Sequence, residues 1–72
     1  MRNWLREKRI ERELTQKEVA EKIGISIQRY NYIETGRTKC MKIYIAVKIS
    51  EILNIDLKEL LEREMKFREN NI

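Results

Sequence analysis

The side chains with recognition chemistry to offer gather in one stretch, Gln16 to Lys39. Gln28 carries an amide whose donor and acceptor match the N6 and N7 edge of adenine as a bidentate pair. Tyr32 lies one helical turn further on and can reach a base edge, a thymine methyl or a phosphate. Ile27 offers the apolar contact that suits a thymine methyl. Arg29 can read guanine or simply neutralise phosphate, and Asn31 stands where it can assist either task. Gln16 and Lys17 open a helix, where free N–H groups and the helix dipole favour an anion. Arg37, Thr38 and Lys39 form a basic loop suited to gripping a phosphate backbone. Other chemistries lack their reagents. The chain has no His, the commonest general base, and a single Cys, Cys40, with no partner for metal or nucleophilic work. It has no glycine-rich phosphate loop, and its Asp and Glu residues sit as helix caps or beside Lys and Arg. No catalytic, metal-binding or cofactor-binding residue is assigned, and no enzyme activity is expected.

The elements that must position these residues are written in the segment LTQKEVAEKIGISIQRYNYIETG, Leu14 to Gly36. Thr15 is placed to N-cap a helix, with Glu18 three residues on completing a capping box. Val19, Ala20 and Ile23 share one apolar face. Gly24 suits a helix end that needs a positive φ. Ser26 is a second N-cap, and Tyr30 and Ile33 then face back towards the first helix. Two short helices joined by so tight a turn form a helix-turn-helix unit. Ala20 is small enough for the close crossing. Helices are expected over residues 16–23 and 27–34, with Thr35 and Gly36 ending the second. Ile27, Gln28, Asn31, Tyr32 and Thr35 then lie on the outward face, with Arg29 at its flank.

Leu14-Thr15-Gln16, Val19-Ala20, Ile23-Gly24-Ile25-Ser26, Tyr30 and Ile33-Glu34-x-Gly36 resemble the pattern of the lambda repressor–Cro (Xre) family of helix-turn-helix regulators. The likeness covers roughly residues 4 to 62. It implies an all-α, five-helix DNA-binding domain that places the second helix of the pair in the major groove. It also implies a phosphate contact from Gln16 and a pair between Arg9 and Glu34 that sets the first helix against the third. One departure stands out. Met41 and Lys42 occupy positions where the family carries Pro and then Ser or Thr, and the loop is one residue longer.

Around the central pair, residues 3–12 read as a first helix with Asn3 as its cap, Leu5 in the core, Ile10 at its edge and Trp4 packing against the last helices. A fourth helix is expected over residues 42–53. Its inward stripe would be Ile43, Ala46, Val47, Ser50 and Leu53, with Ile45, Ile49 and Ile52 forming a second stripe for the fifth helix or a dimer partner. Asn54 tolerates a left-handed turn, and Asp56 with Glu59 makes a further capping box. Leu57, Leu60, Leu61 and Met65 then form the apolar stripe of the fifth helix. The last residues, FRENNI, are read as a fraying end in which Phe67 and Ile72 are loose apolar side chains.

Composition agrees. The 72 residues are expected to form one domain, 1–72, with a modest core. No apolar run is long enough to span a membrane and no signal peptide is evident, so the chain reads as soluble and cytoplasmic. The net charge is +4. Residues 1–39 carry ten basic and six acidic side chains and residues 40–72 carry six of each, so the excess lies in the half with the helix-turn-helix. The combined expectation is a transcriptional regulator, a repressor binding an inverted repeat of double-stranded DNA as a homodimer through its last two helices, of the kind found on mobile elements. Two rivals stay open: the antitoxin of a toxin–antitoxin pair repressing its own operon, and a protein-interaction module on the same fold.

Overall fold

Five helices and no strand make up the computed structural model, which describes residues 1–70. In order they are α1 (Asn3–Glu11), α2 (Gln16–Ile23), α3 (Ile27–Thr35), α4 (Ile43–Ile52) and α5 (Leu57–Asn70). This is the all-α architecture expected. The central pair forms for the local reasons its residues supply. Thr15 accepts from the Glu18 N–H while the Glu18 carboxylate accepts from the Thr15 N–H, closing the capping box. Gly24 takes a left-handed conformation at φ 93°. Its N–H and that of Ile25 both donate to the Ala20 carbonyl, turning the chain in one step. Ser26 Oγ then accepts from the Arg29 N–H and starts α3.

Leu5 of α1, Val19, Ala20 and Ile23 of α2, and Tyr30 and Ile33 of α3 meet in one core with Met41, Ile45, Ala46, Ile49, Leu53, Ile55 and Leu60. Burying an Ile or Leu side chain fully stabilises by about 1.5–3 kcal/mol, so these contacts decide which face each helix turns inward. Trp4 packs against this core and lines a surface cleft with Arg63, Lys66 and Phe67 of α5, as expected.

Several expectations at the two ends of the chain are corrected. Asn3 is the first helical residue, not the cap; Arg2 holds the cap position without a side-chain cap. Ile10 is exposed. The chain leaves α1 through Glu13 at φ 56°, a left-handed non-glycine that nothing in the sequence signalled. Helix α4 begins at Ile43, since Lys42 sits in the capping position with an extended backbone and no side-chain cap. Its buried face is Ile45, Ala46, Ile49, Ser50 and Leu53, whereas Ile43 is 80% exposed. Ala46, Ser50 and Leu53 are thus inward as expected, Ile45 and Ile49 of the second stripe join them in the core and are closed to any partner, and Val47 and Ile52 are half-buried. Asn54 does turn left-handed, at φ 52°.

Asp56 accepts from the Glu59 N–H, but the Glu59 carboxylate pairs with Arg63 instead of closing a box. The inward face of α5 is Leu60, Glu64 and Phe67, while Leu57, Leu61 and Met65 are exposed. Phe67 is thus a packed residue, not a loose one. Ile72 lies outside the described residues. Among those described, no helix is long and apolar enough to cross a membrane.

The two glycines separate strain from space. A Cβ on Gly24 would meet nothing within 4 Å, whereas one on Gly36 would come within 3.1 Å of the Met1 nitrogen and the Phe67 ring. Gly24→Ala is therefore expected to cost about 1–2 kcal/mol from left-handed strain alone, and Gly36→Ala more. Chemical denaturation of the two variants checks the order, which equal losses would contradict.

Candidate nucleic-acid interface

The outward face of α3 is set by what its inward face must bury. Tyr30, Ile33 and Glu34 point into the protein, which leaves Ile27, Gln28 and Arg29 exposed and Asn31 and Tyr32 half-buried. Gln28 and Tyr32 are one turn apart on this face, and Gln28 Nε2 donates to the Tyr32 hydroxyl at 2.8 Å. The Arg37 guanidinium sits over the Tyr32 ring, 4.8 Å from its centroid. The Thr38 N–H donates to the Tyr32 carbonyl at 2.9 Å. Gln28, Tyr32 and Arg37 thus form one connected row, continued by the backbone of Thr38. Thr35 sits further along, its hydroxyl donating to the Asn31 carbonyl.

A second row starts from an ion pair between half-buried Arg9 and buried Glu34. Arg9 Nε and Nη2 each donate to the Glu34 carboxylate at 2.9 Å, the bidentate fork expected of this pair. Arg9 Nη1 donates to the Leu14 carbonyl, tying in the turn before α2. Gln16 Nε2 donates to the same carboxylate at 3.3 Å, and Asn31 Nδ2 donates to Gln16 Oε1 at 3.2 Å. Asn31 and Gln16 therefore fix each other. Lys17 is exposed beside Gln16, and Arg37 and Lys39 are exposed in the loop after α3, with Thr38 half-buried between them.

These contacts shape the local titration. Burial drives the Glu34 carboxyl upwards, but the hydrogen bonds from Arg9 and Gln16, with the Arg9 charge, outweigh it and leave Glu34 below the usual carboxylate range. Arg9 is raised, first by its hydrogen bond to Glu34. Burial, reinforced by Glu34, pushes the Tyr30 phenol far above its ordinary value.

One buried polar network beside this face went unread in the sequence. Arg2 is completely buried and pairs with Glu64 of α5, and its remaining donors reach the carbonyls of Ile33, Thr38 and Lys39. The available signal was Glu64 itself, a carboxylate placed at helical spacing between Leu60 and Phe67.

A family model described as Helix-turn-helix matches residues 5–60. The chain belongs to the lambda repressor–Cro (Xre) type of helix-turn-helix family. Searches of curated proteins and of solved structures gave no significant match. Membership makes the chain a helix-turn-helix domain of a DNA-binding family that is typically non-enzymatic. The helix-turn-helix match stops short of Arg2 at one end and of Glu64 and Phe67 at the other.

The Glu34 environment has a pH signature. Its folded pKa is depressed, so its contribution is complete above the unfolded carboxylate value of about 4.3 and is lost as pH falls through the lower folded value. The gap in melting temperature between the parent and Glu34→Gln is expected to be widest near neutral pH and to narrow below about pH 4. Thermal melts from pH 7 to pH 2 check this, and a gap of constant width would contradict it.

Proposed function

We propose that this chain is a sequence-specific transcriptional regulator that binds duplex DNA through the outward face of α3, and that it represses by occluding a promoter. In this reading Gln28 reads adenine, Tyr32 and Ile27 complete the base contacts, and Arg29 meets guanine or phosphate. Gln16 and Lys17 hold the phosphate backbone on one side and Arg37, Thr38 and Lys39 on the other, with Asn31 holding Gln16 in place. The observation that carries the proposal is the Gln28–Tyr32 hydrogen bond on an outward face. It holds the amide in one orientation before DNA arrives, which lowers the ordering cost of contact. The basic side chains that flank the face supply the sequence-independent part of binding.

The preferred target is an inverted repeat bound by a homodimer, whose two α3 helices would lie about 34–36 Å apart. The dimer surface in this reading is the exposed apolar face of α4 and α5, formed by Ile43, Leu61 and Met65 around a groove of about 250 Å³. Met65, 61% exposed, sits at its edge. Met65→Glu is expected to leave the fold intact and shift the protein to monomer, measured by sedimentation equilibrium; an unchanged dimer would rule this surface out.

Selection of bound sites from random DNA tests the whole proposal, because it reports specificity, symmetry and spacing together. Gln28→Ala is expected to relax base preference at one position per half-site, a loss of about 1–3 kcal/mol of discrimination. Lys39→Ala is expected to weaken binding to all sequences alike and lower the salt slope by about 1. Equal affinity of the parent for selected and random DNA would sink the base-reading role.

A further inference from the structure

Loop residues 37–41 lie outside any helix, yet three carbonyls at and before this loop are anchored from one point. The Arg2 guanidinium has five N–H donors, and each finds an acceptor. Nε donates to Glu64 Oε1 and Nη2 to Glu64 Oε2 at 3.1 Å. Nη1 donates to the carbonyls of Ile33 and Thr38, and Nη2 to that of Lys39 at 2.9 Å. The Phe67 ring lies under the guanidinium plane, 4.2 Å away. The Arg2 N–H also donates to the Glu34 carbonyl. Gly36 leaves no room between the loop, Met1 and Phe67. The side chain is wholly buried, so Arg2 cannot itself meet a phosphate.

We infer that Arg2 is a positioning residue for DNA binding. By holding the Thr38 and Lys39 carbonyls inward it aims the side chains of Arg37 and Lys39 outward, and through Glu64 and Phe67 it makes that aim depend on the docking of α5. The inference rests on the backbone-gripping role proposed above for residues 37–39. A loop that must be ordered on binding loses conformational entropy at every residue, whereas this loop is ordered already by the fold. The coupling is reciprocal: whatever loosens the C-terminal half of α5 weakens the loop's hold on DNA, and DNA bound to the loop stabilises α5 by the same factor.

Arg2→Lys tests this. It keeps a positive charge opposite Glu64 but replaces a five-donor fork with a three-donor point, so the grip on the carbonyls is lost. Affinity for a random-sequence duplex is measured between 50 and 200 mM salt, with Leu53→Ala as a core truncation for comparison, at a temperature where circular dichroism finds all proteins fully folded. Arg2→Lys is expected to bind about tenfold more weakly with a salt slope smaller by about 1–2, since each phosphate contact contributes about 0.9; Leu53→Ala should keep the parent slope. A folded Arg2→Lys with the parent's affinity and slope overturns the inference while leaving the DNA-binding reading intact. The same holds if Leu53→Ala changes the slope equally. A parent without salt-dependent DNA binding overturns both. Should Arg2→Lys fail to fold, Phe67→Leu, which keeps Arg2 and all its acceptors but removes the ring beneath them, carries the same outcomes.

Discussion

One buried and one half-buried guanidinium, Arg2 and Arg9, converge on the C-terminal end of α3, and the rest of the domain is arranged to satisfy them. An ionised group taken out of water is tolerated only when paired and fully hydrogen-bonded. Arg9 meets that condition through Glu34 and the Leu14 carbonyl, and Arg2 through Glu64 and three further carbonyls. Arg2 also reaches the Ile33 carbonyl in the last turn of α3, where the helix dipole is negative. Removing one member of such a pair costs about 3–5 kcal/mol, a large share of the 5–15 kcal/mol that keeps a domain folded. The pairs therefore act less as added stability than as a requirement for one particular arrangement of α1, α3 and α5.

That requirement reaches the surface through hydrogen bonds. Glu34, held by Arg9, accepts from Gln16, and Gln16 accepts from Asn31, so the first turn of α2 is placed relative to α3 by a chain of three side chains. On the other side, Arg2 holds the Thr38 carbonyl while the Thr38 N–H holds that of Tyr32, whose hydroxyl receives Gln28. The outward groups are thus connected to buried charges within a few bonds. Moving these anchors would expose or orphan an ion, which ties the placement of the outward groups to the buried pairs.

What the sequence made legible follows the range of each signal. Thr15, Gly24 and Ser26 act on neighbours within four residues, so α2, the turn and α3 are readable from their types and spacing. The Arg9–Glu34 pair spans the fold and was legible only through resemblance. Helix α4 is apolar on nearly all sides, so periodicity alone cannot choose between the Ile43 and Ile45 faces; contact with α2 and α5 chooses. On α5 the misreading has a sharper cause. A stripe built from apolar types selects Leu61 and Met65 and passes over Glu64, because a carboxylate is assigned outward by default. Only a buried cation makes the opposite choice favourable, and that cation, Arg2, lies at the far end of the chain. Phe67 follows Glu64 inward for the same reason.

The same pairing changes what the charge distribution means. Counted along the sequence, the surplus of basic side chains in residues 1–39 describes a phosphate-facing surface. Two of those ten cations, Arg2 and Arg9, are turned inward and hydrogen-bonded to carboxylates, and Glu64, which answers Arg2, belongs to the neutral half. The internal pairs therefore leave the totals untouched while moving charge between halves and between interior and surface. What remains beside the α3 face is Lys17, Arg29, Arg37 and Lys39, all exposed. Counterion release depends on cations that reach phosphates, not on those that hold the fold together. A small domain of this composition thus divides its arginines by geometry: those whose fork finds several fixed acceptors are built into the interior, and those left with solvent on one side are free to meet a backbone. The number of side chains available to DNA is set by the buried network first and by composition only second.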